Sequence, residues 1–369
     1  MAAARISIDQ FITQSKQFPV IDVRSPGEFV HAHVPGTLSL PLFSNEERAA
    51  VGTAYKQQSR EAAIKIGLDF FGPKMKSMVE AVETICNQHR TLATASNTED
   101  DDQNIKTILV YCWRGGMRSG AVSWLLDLYG FKVFTLVGGY KKFRNHVLDT
   151  FSLPFQFKIL GGYTGSGKTE LLKDLQSKGE PVIDLEGIAG HKGSAFGNIG
   201  LPNQPSQEMF ENILAAKLIN EKNKSEATDR HIWLEDESQR IGHVNIPNEL
   251  WNTMRQSPVF FIDIPFEKRL KHIVEEYGKL DTQKLIDATI RIKEKLGGLQ
   301  AKQVIDFLQT NNYEEGFRIL LKYYDKYYSK SLHNREALNS LLNKIDCKSI
   351  TTENTRALLQ HNHSKSAKA

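Results

Sequence analysis

A glycine-rich segment that ends in Lys-Thr is the clearest chemical signal in the chain. Residues 158–169, KILGGYTGSGKT, place an apolar β-run directly before the pattern GxxxxGKT. In such a loop the backbone N–H groups converge on an anion, the lysine adds a positive charge, and the final hydroxyl can reach a magnesium ion. The segment predicts a phosphate site. The candidate residues are Gly162, Gly165, Ser166, Gly167, Lys168 and Thr169.

A second anion-binding loop, of different chemistry, lies upstream. The apolar run 108–111 opens into CWRGGMRSG, so Cys112 stands at a strand end and a glycine-rich loop leads to Arg118. Residues 119–129 carry apolar side chains at helical spacing, which places the loop at a helix N-terminus. A helix N-terminus and a guanidinium lower the pKa of a nearby thiol, so we expect Cys112 to be a nucleophile near neutral pH. A buried structural cysteine is the alternative interpretation.

Two further segments supply candidate ligand contacts beside the phosphate loop. An acidic cluster at 235–237 follows the apolar strand 232–234, where comparable folds place a carboxylate that holds magnesium or polarises water. Adjacent carboxylates repel each other unless a cation lies nearby, and Arg240 is the candidate cation. Residues 187–200, GIAGHKGSAFGNIG, predict either a flap over an anionic ligand or a flexible surface loop. The candidate residues of both segments are His191, Lys192, Ser194, Glu235, Asp236 and Arg240.

The strands that must position these loops are short apolar runs separated by helical stretches. This alternation predicts an α/β fold with parallel sheets, the second of them typical of P-loop nucleoside triphosphatases. Residues 91–104 are polar and acidic without periodicity, which indicates an exposed insertion. The predicted strands lie within 19–24, 108–113, 132–139, 156–162, 181–187, 231–238 and 258–265.

The pattern divides the chain into domains. We expect an N-terminal α/β domain at 1–150 and a P-loop domain at 156–265, separated by the segment FSLPF. Residues 266–360 carry Lys, Glu and apolar residues at helical spacing and predict a helical C-terminal region. The polar end, 361–369, predicts a disordered tail.

Composition limits the class of protein. With 369 residues, 40% hydrophobic and 24% charged, the chain is typical of a globular protein of two or three domains. A net charge of +4 permits an RNA partner without requiring one. Three scattered cysteines suit a reducing compartment, and neither a signal-peptide core nor an apolar run of about 20 residues is present, which predicts a cytoplasmic protein without membrane association.

The N-terminal motifs resemble a rhodanese domain. The resemblance rests on IDVRSPGEF at 21–29, HVPGTLSLPL at 33–42 and the Cys112 loop. Rhodaneses carry sulfur on a cysteine, usually in a loop one residue shorter than this one. The longer CxxxxxR form also occurs in phosphatases that hold a tetrahedral phosphate, so the loop indicates a bulkier oxyanion.

Along nearly its whole length the chain resembles the tRNA 2-selenouridine synthase family. Several independent motifs occur in the family's order: NEERAAVGTAYKQQ, YCWRGGMRS, GGYTGSGKT, DLEGIAGHKGSAFG, WLEDESQRIG, LGG and YYDKYY. The resemblance implies that the protein replaces the sulfur of wobble 2-thiouridine in tRNA by selenium from selenophosphate. It also implies an S-geranyl intermediate made from geranyl diphosphate, and no bound redox cofactor.

Carried onto this sequence, the family's catalytic cysteine is Cys112, which we assign to the selenium step with Arg118. Geranyl diphosphate would lie in the phosphate loop, where Lys168 neutralises the departing diphosphate. Basic residues outside both loops are candidates for tRNA contact: Lys141, Lys142, Arg144, Lys268, Arg269 and Lys271. Selenophosphate would arrive free or from selenophosphate synthetase. The remaining loop residues assigned to selenophosphate are Trp113, Arg114, Gly115, Gly116 and Met117.

Two other classes of function stay open at the level of the residues. Cys112 and Arg118 are also compatible with a sulfurtransferase or a CxxxxxR phosphatase fused to a nucleotide-binding module. The chain could instead be a regulatory RNA-binding module whose phosphate loop senses a nucleotide. The residues do not distinguish geranyl diphosphate from a nucleotide in the phosphate loop, and they leave the oligomeric state open.

Overall fold

A computed structural model describes residues 3–94 and 106–366. It divides into two compact units, an N-terminal unit (Met1–Asp149) and a C-terminal unit (Thr150–Ala369). Within the described ranges, no helix combines the length and the apolar composition needed to cross a membrane. Most of the acidic stretch at 91–104, from residue 95 onward, lies outside the described residues.

The N-terminal unit is built on a five-stranded parallel sheet of order β1-β5-β4-β2-β3. The three strands predicted for this region are present as β2, β4 and β5, and the short strands β1 and β3 were not predicted. Its elements are β1 (Ala4–Ile6), α1 (Ile8–Gln14), β2 (Val20–Asp22), α2 (Pro26–His31), β3 (Leu38–Ser39), α3 (Asn45–Gln57), α4 (Arg60–Phe71), a 3₁₀ turn (Gly72–Lys74), α5 (Met75–Thr94), β4 (Thr107–Tyr111), α6 (Met117–Leu128), β5 (Lys132–Leu136) and α7 (Gly139–Thr150).

Strand β4 carries the cysteine loop from the middle of this sheet. All five of its residues are buried, as expected of a central parallel strand with helices on both faces. Ile108 and Val110 join the side chains of α5 and α6 in one core cluster. The carboxyl end of β4 therefore has a fixed position, and the loop that leaves it starts from a rigid support.

The C-terminal unit also contains a five-stranded parallel sheet, of order β12-β11-β6-β8-β7. The phosphate-loop strand β6 is central and neighbours β8, which leads to the acidic cluster. The elements are β6 (Phe157–Gly162), α8 (Lys168–Ser177), β7 (Val182–Ile183), α9 (Leu185–Ala189), α10 (Gln207–Thr228), β8 (Ile232–Glu235), β9 (Arg240–Ile241), β10 (Val244–Asn245), α11 (Asn248–Arg255), β11 (Val259–Asp263), α12 (Phe266–Tyr277), α13 (Thr282–Arg291), α14 (Lys293–Leu296), α15 (Gly298–Gln309), α16 (Tyr313–His333), α17 (Leu338–Leu341), β12 (Leu342–Asp346) and α18 (Glu353–Ser366).

The C-terminal region beyond β11 is mainly helical, with one strand that the sequence pattern did not reveal. Strand β12 pairs in parallel with β11 from Leu342 to Asp346 and completes the sheet. Its side chains are only partly buried, so its apolar signal is weak. The predicted tail, 361–369, overlaps α18 up to Ser366, and residues 367–369 lie outside the described range.

Candidate active-site loops

The cysteine loop is held in shape by close backbone packing against the connection between β5 and α7. Gly115 has φ +62°, and a Cβ there would lie 2.4 Å from the Leu136 carbonyl oxygen. Gly139 has φ +57°, and its Cβ would lie 2.2 Å from the Cys112 carbonyl oxygen. Only glycine fits at either position. The loop conformation therefore depends on a glycine from each of two segments.

Cys112 lies at the base of this loop and is 3% exposed. Its Sγ is 3.2 Å from the hydroxyl oxygen of Ser119, which in turn is 3.2 Å from the Gly116 carbonyl oxygen. Ser119 belongs to the first turns of α6, and Gly116 is the N-cap residue of that helix. The thiol thus lies beside the N-terminus of α6, where an anion is stabilised. Sequence reasoning did not identify Ser119 as part of the site.

Arg118 is held by an acidic partner at the edge of the loop. Its guanidinium donates to both carboxylate oxygens of Glu28, at 2.7 and 3.3 Å. Burial acts to raise the pKa of Glu28, but the hydrogen bonds and charge of Arg118 lower it to about 2, with smaller contributions from Ser25 and Arg48. Glu28 also completes the capping box of α2 with Ser25. The ion pair with Glu28 therefore holds the Arg118 side chain in place at the edge of the loop.

A cavity of about 710 Å³ opens at the cysteine loop. Helices α3 and α4, which pack against each other, form much of its wall, and the loop with the start of α6 forms the rest. Cys112 lines it, together with all of the assigned loop residues except Gly115. Apolar side chains dominate the wall, among them Leu42, Phe43, Val51, Ile64, Leu68 and Phe71.

In the C-terminal unit the phosphate loop has the strand–loop–helix form that its sequence predicts. It leaves β6 at Gly162 and enters α8 at Lys168, with Gly167 as a left-handed N-cap residue at φ +76°. A Cβ at Gly165, where φ is +79°, would lie 2.7 Å from the side chain of Ile273. Thr169 is half-buried in the first turn of α8. These features leave the backbone N–H groups at the start of α8 available for an anion.

Lys168 turns back onto its own loop. Its Nζ donates to the Gly162 carbonyl oxygen at 2.9 Å and lies 5.9 Å from the ring centre of Tyr328. Ser166 is buried, and its hydroxyl has no hydrogen-bond partner among the described residues. A bound phosphate would give both groups a charged acceptor.

Tyr328 joins the phosphate loop to the acidic cluster. Its hydroxyl donates to Asp236 Oδ2 at 2.8 Å and accepts the Gly162 N–H at 3.1 Å. Arg335 donates to the other oxygen of Asp236 at 2.7 Å. Asp236 is therefore engaged on both oxygens. Neither Tyr328 nor Arg335 was identified as a site residue from the sequence, although Tyr328 ends the motif YYDKYY.

The other acidic residues form a buried group beside the loop. Glu235 is 3% exposed and accepts the Glu186 N–H at 2.7 Å, whereas its second oxygen has no partner among the described residues. Burial, with the charges of Asp184 and Glu186, raises the pKa of Glu235 to about 8. Burial also raises the pKa values of Glu186 and Glu237, against the lowering effect of Lys168. Burial therefore favours the protonated form of each of these carboxyl groups.

Magnesium at the acidic cluster is a further prediction from the sequence. In the described part of the chain, no three His, Cys, Asp or Glu side chains are arranged to hold a metal ion. Asp236 is already hydrogen-bonded to Tyr328 and Arg335. A magnesium ion here would need ligands besides this group, such as the oxygens of a bound phosphate, and its presence stays a prediction.

Two arginines have roles that differ from those expected. Arg240 was the candidate cation for the acidic cluster, but it is exposed on the β9–β10 hairpin and donates to the Gly242 carbonyl oxygen at 3.0 Å. Arg335, from far along the chain, takes the position beside Asp236. Arg269 was a candidate for tRNA contact, but it is 3% exposed and donates to both carboxylate oxygens of Asp325, at 2.9 and 2.7 Å.

The glycine-rich segment at 187–200 is packed against the helical region. Phe196 is buried in the core cluster of that region, and the Ala195 N–H donates to the Tyr324 hydroxyl at 3.3 Å. Lys192 forms an ion pair with Glu276, and Ser194 Oγ accepts the Phe196 N–H. The segment is therefore anchored at its centre.

The segment also lies beside the acidic group. A Cβ at Gly193 would lie 2.3 Å from Glu237, so this glycine allows the close approach. Burial, with the charges of His243 and Arg291, lowers the pKa of His191, whose Nδ1 has no partner among the described residues. A ligand contact from this segment stays a prediction.

Comparisons with known proteins match both units. Residues 7–146 match the rhodanese-like domain, and residues 155–352 match the family described as tRNA 2-selenouridine synthase AAA domain. A protein of Bdellovibrio bacteriovorus named tRNA 2-selenouridine synthase is 34% identical over 91% of this chain and 94% of its own length. Its namesake in Nitrosomonas europaea is 38% identical over 70% of this chain and 63% of its own length. A third, from Nitrosomonas eutropha, is 32% identical over 86% of this chain and 89% of its own length.

Proposed function

Because the chain belongs to the tRNA 2-selenouridine synthase family, we propose that it converts wobble 2-thiouridine in tRNA to 2-selenouridine. Selenophosphate is the selenium donor, and S-geranyl-2-thiouridine, formed from geranyl diphosphate, is the intermediate. The observation that carries the proposal is that the likeness to the Bdellovibrio protein extends over 91% of this chain, more than either unit alone can account for.

The first step is geranyl transfer, and we assign it to the phosphate loop. The sulfur of 2-thiouridine attacks the first carbon of the geranyl chain, and the bond from that carbon to the diphosphate oxygen breaks. The diphosphate leaves with the bonding electrons, and the uridine loses a proton. The N–H groups at the start of α8 and the ammonium of Lys168 stabilise the negative charge that develops. Lys168 exchanges its bond to Gly162 for the diphosphate.

The second step is selenium transfer, and we assign it to the Cys112 loop. Selenium of selenophosphate attacks C2 of the S-geranyl uridine, a C2–Se bond forms, and the C2–S bond breaks to release geranylthiolate. Water then cleaves the Se–P bond and yields phosphate and 2-selenouridine. The N–H groups at the start of α6 hold the phosphate-like oxygens. Cys112 lines the same cavity, beside the site of this exchange.

The test is an assay of wild type, Cys112→Ala and Lys168→Ala with 2-thiouridine tRNA, geranyl diphosphate and selenophosphate, with nucleosides identified by mass spectrometry. Wild type should form 2-selenouridine. Cys112→Ala should accumulate S-geranyl-2-thiouridine, whereas Lys168→Ala should lose geranylation yet still use tRNA that is already geranylated. If both variants lose both steps equally, the assignment of geranyl transfer to the phosphate loop and of selenium transfer to the Cys112 loop is wrong. If wild type leaves the uridine unmodified but cleaves thiosulfate or a phosphate ester, the proposed reaction is wrong.

A further inference from the structure

We infer that the cavity beside Cys112 is a binding site for the geranyl chain of S-geranyl-tRNA during the selenium step. This inference rests on the proposed function and deepens it, because it assigns the chain to a specific wall of the N-terminal unit. The site lies within that unit alone, between α3, α4 and the cysteine loop.

The size and lining of the cavity indicate an apolar guest. A volume of about 710 Å³ lies in the range of about 300–1,000 Å³ that is usual for small-molecule sites. Several of its apolar side chains remain in contact with solvent: Leu68 is 55% exposed, Tyr55 54% and Met117 51%. Concentrated apolar exposure of this kind is unfavourable in water and marks a binding surface. An apolar chain would cover it.

The charged residues of the cavity indicate what the chain is attached to. Every charged residue that lines it is basic. Arg48 and Arg118 pair with Glu28, and the exposed Lys56 and Arg114 form the basic rim. An apolar wall with a basic rim suits a ligand that joins a hydrocarbon chain to a polyanion. RNA that carries an S-alkyl uridine has this combination, because its phosphates can meet the rim while its chain enters the cavity.

The position of Cys112 selects the RNA thioether over free geranyl diphosphate. The thiol lines the cavity and is 3% exposed, so a reacting atom reaches it through this space. In the proposed selenium step, selenophosphate bound at the cysteine loop attacks C2 of the uridine, and the geranyl chain is attached to C2 through a single sulfur. A chain held in the cavity therefore orients C2 towards the loop before bond exchange.

Two substitutions in α4 test this site without changing the groups assigned to chemistry. Ala63→Leu fills space from a wall residue that is 3% exposed, and Leu68→Gln removes apolar surface at a residue that is 55% exposed. Leu68→Gln is the safer variant for folding, because the side chain is already in water. Leu128→Gln is the matched control: Leu128 is 70% exposed in the same unit and does not line the cavity.

The assay compares anticodon stem-loop RNAs with S-geranyl-2-thiouridine and S-methyl-2-thiouridine. With selenophosphate, both cavity variants should raise KM for the S-geranyl RNA by about tenfold, the effect of losing about one buried apolar contact, and leave the S-methyl RNA unchanged. Leu128→Gln should behave as wild type. If the cavity variants handle the S-geranyl RNA as wild type does, or lose both RNAs equally, the inference is wrong.

Two further measurements separate this inference from the proposed function. Binding of the two RNAs in the absence of selenophosphate, followed by fluorescence anisotropy, needs no turnover. If wild type forms no selenouridine but binds the S-geranyl RNA more tightly than the S-methyl RNA, and Leu68→Gln removes that preference, the site stands and the proposed reaction fails. If the cavity variants instead raise KM for geranyl diphosphate in geranylation, the cavity holds the chain of the donor, and the assignment to tRNA is overturned.

Discussion

Removal of one hydroxyl group, in Tyr328→Phe, should uncouple the phosphate loop from the acidic cluster. The Tyr328 hydroxyl donates to Asp236 at 2.8 Å and accepts the N–H of Gly162 at 3.1 Å. Phenylalanine keeps the ring, which lies 5.7 Å from the ring of Tyr163, but provides neither hydrogen bond. The perturbation is thus confined to two polar contacts.

The size of the effect follows from those contacts. A hydrogen bond to a charged group contributes about 1.5–3 kcal/mol, and a backbone N–H left without a partner away from water costs about 1 kcal/mol or more. Asp236 keeps its ion pair with Arg335, which limits the loss. We expect the free energy of unfolding of the C-terminal unit to fall by about 3 kcal/mol. Tyr327→Phe, at a neighbouring residue that is 45% exposed, should change it by about 0.5 kcal/mol or less.

The assay must report on the C-terminal unit alone, because a chain of two units has no single unfolding transition. Pulsed hydrogen exchange of the full-length protein across a urea series, read by mass spectrometry of peptides from β6–α8 and α16, meets this need. A loss of about 3 kcal/mol corresponds to a midpoint lower by about 1–2 M urea. The midpoint for Tyr327→Phe should coincide with that of wild type.

Equal midpoints for wild type and both phenylalanine variants would refute the reasoning. That result would mean that the Gly162 N–H finds another acceptor and that Arg335 alone satisfies Asp236. A fall of the same size in both variants would point to a general effect on α16. Only a selective loss in Tyr328→Phe supports the hydroxyl as the link between the two segments.

Three further outcomes are expected. Glu28→Gln should lower the stability of the N-terminal unit by about 2 kcal/mol at neutral pH. The reason is that Arg118, against the effect of burial, lowers the pKa of the Glu28 carboxyl from 4.5 to about 2, and partial exposure of the pair reduces the corresponding free energy. The deficit should fade as pH drops from about 4.5 towards 2, which hydrogen exchange of α6 peptides can follow. Gly139→Ala places a Cβ 2.2 Å from a carbonyl oxygen and should abolish stable folding of the cysteine loop. Gly130→Ala, with φ +99° and open space, should cost only about 1–2 kcal/mol, as measured by hydrogen exchange of α6 peptides across a urea series. Glu235 has its pKa raised from 4.5 to about 8, so its charge destabilises the fold as pH rises through this window. Glu235→Gln should therefore stabilise the C-terminal unit by about 3 kcal/mol more at pH 8 than at pH 5, as measured by pulsed hydrogen exchange of β8 peptides across a urea series.

Sequence reasoning succeeded where the signal is local. A strand end, a run of glycines and a helix start determine each anion-binding loop within about a dozen residues, so the backbone form of 112–118 and 162–169 follows from the printed sequence. The central strands were also found, because β4 and β6 are continuous apolar runs. Strand β1 has three residues and β3 has two. Strand β12 is only partly buried and is stabilised in the sheet by its backbone pairing with β11. Their sequences carry little pattern of their own.

The partners of charged groups could not be predicted in the same way. Arg240 is close to the acidic cluster in sequence, but Arg335, 99 positions from Asp236, makes the ion pair. Arg118 and Glu28 are separated by 90 positions. Such contacts depend on which strands become neighbours in the sheet, a property of the whole fold. The capping box of α2 was the one available local signal for Glu28.

The basic side chains of the two loops, Lys168 and Arg118, have different hydrogen-bond partners, and this difference affects how each loop binds an anion. Lys168 donates to a neutral carbonyl oxygen, a contact of about 1.5–3 kcal/mol that a diphosphate, which carries negative charge, can replace with a stronger one. Arg118 makes two charge-assisted bonds to Glu28, whose low pKa reports a much stronger contact. Replacing that pair would cost more, because Glu28 would keep only its longer contact with Arg48, at 3.5 Å, beside the anion. An anion at Cys112 is therefore held mainly by backbone N–H groups, whereas an anion in the phosphate loop recruits Lys168.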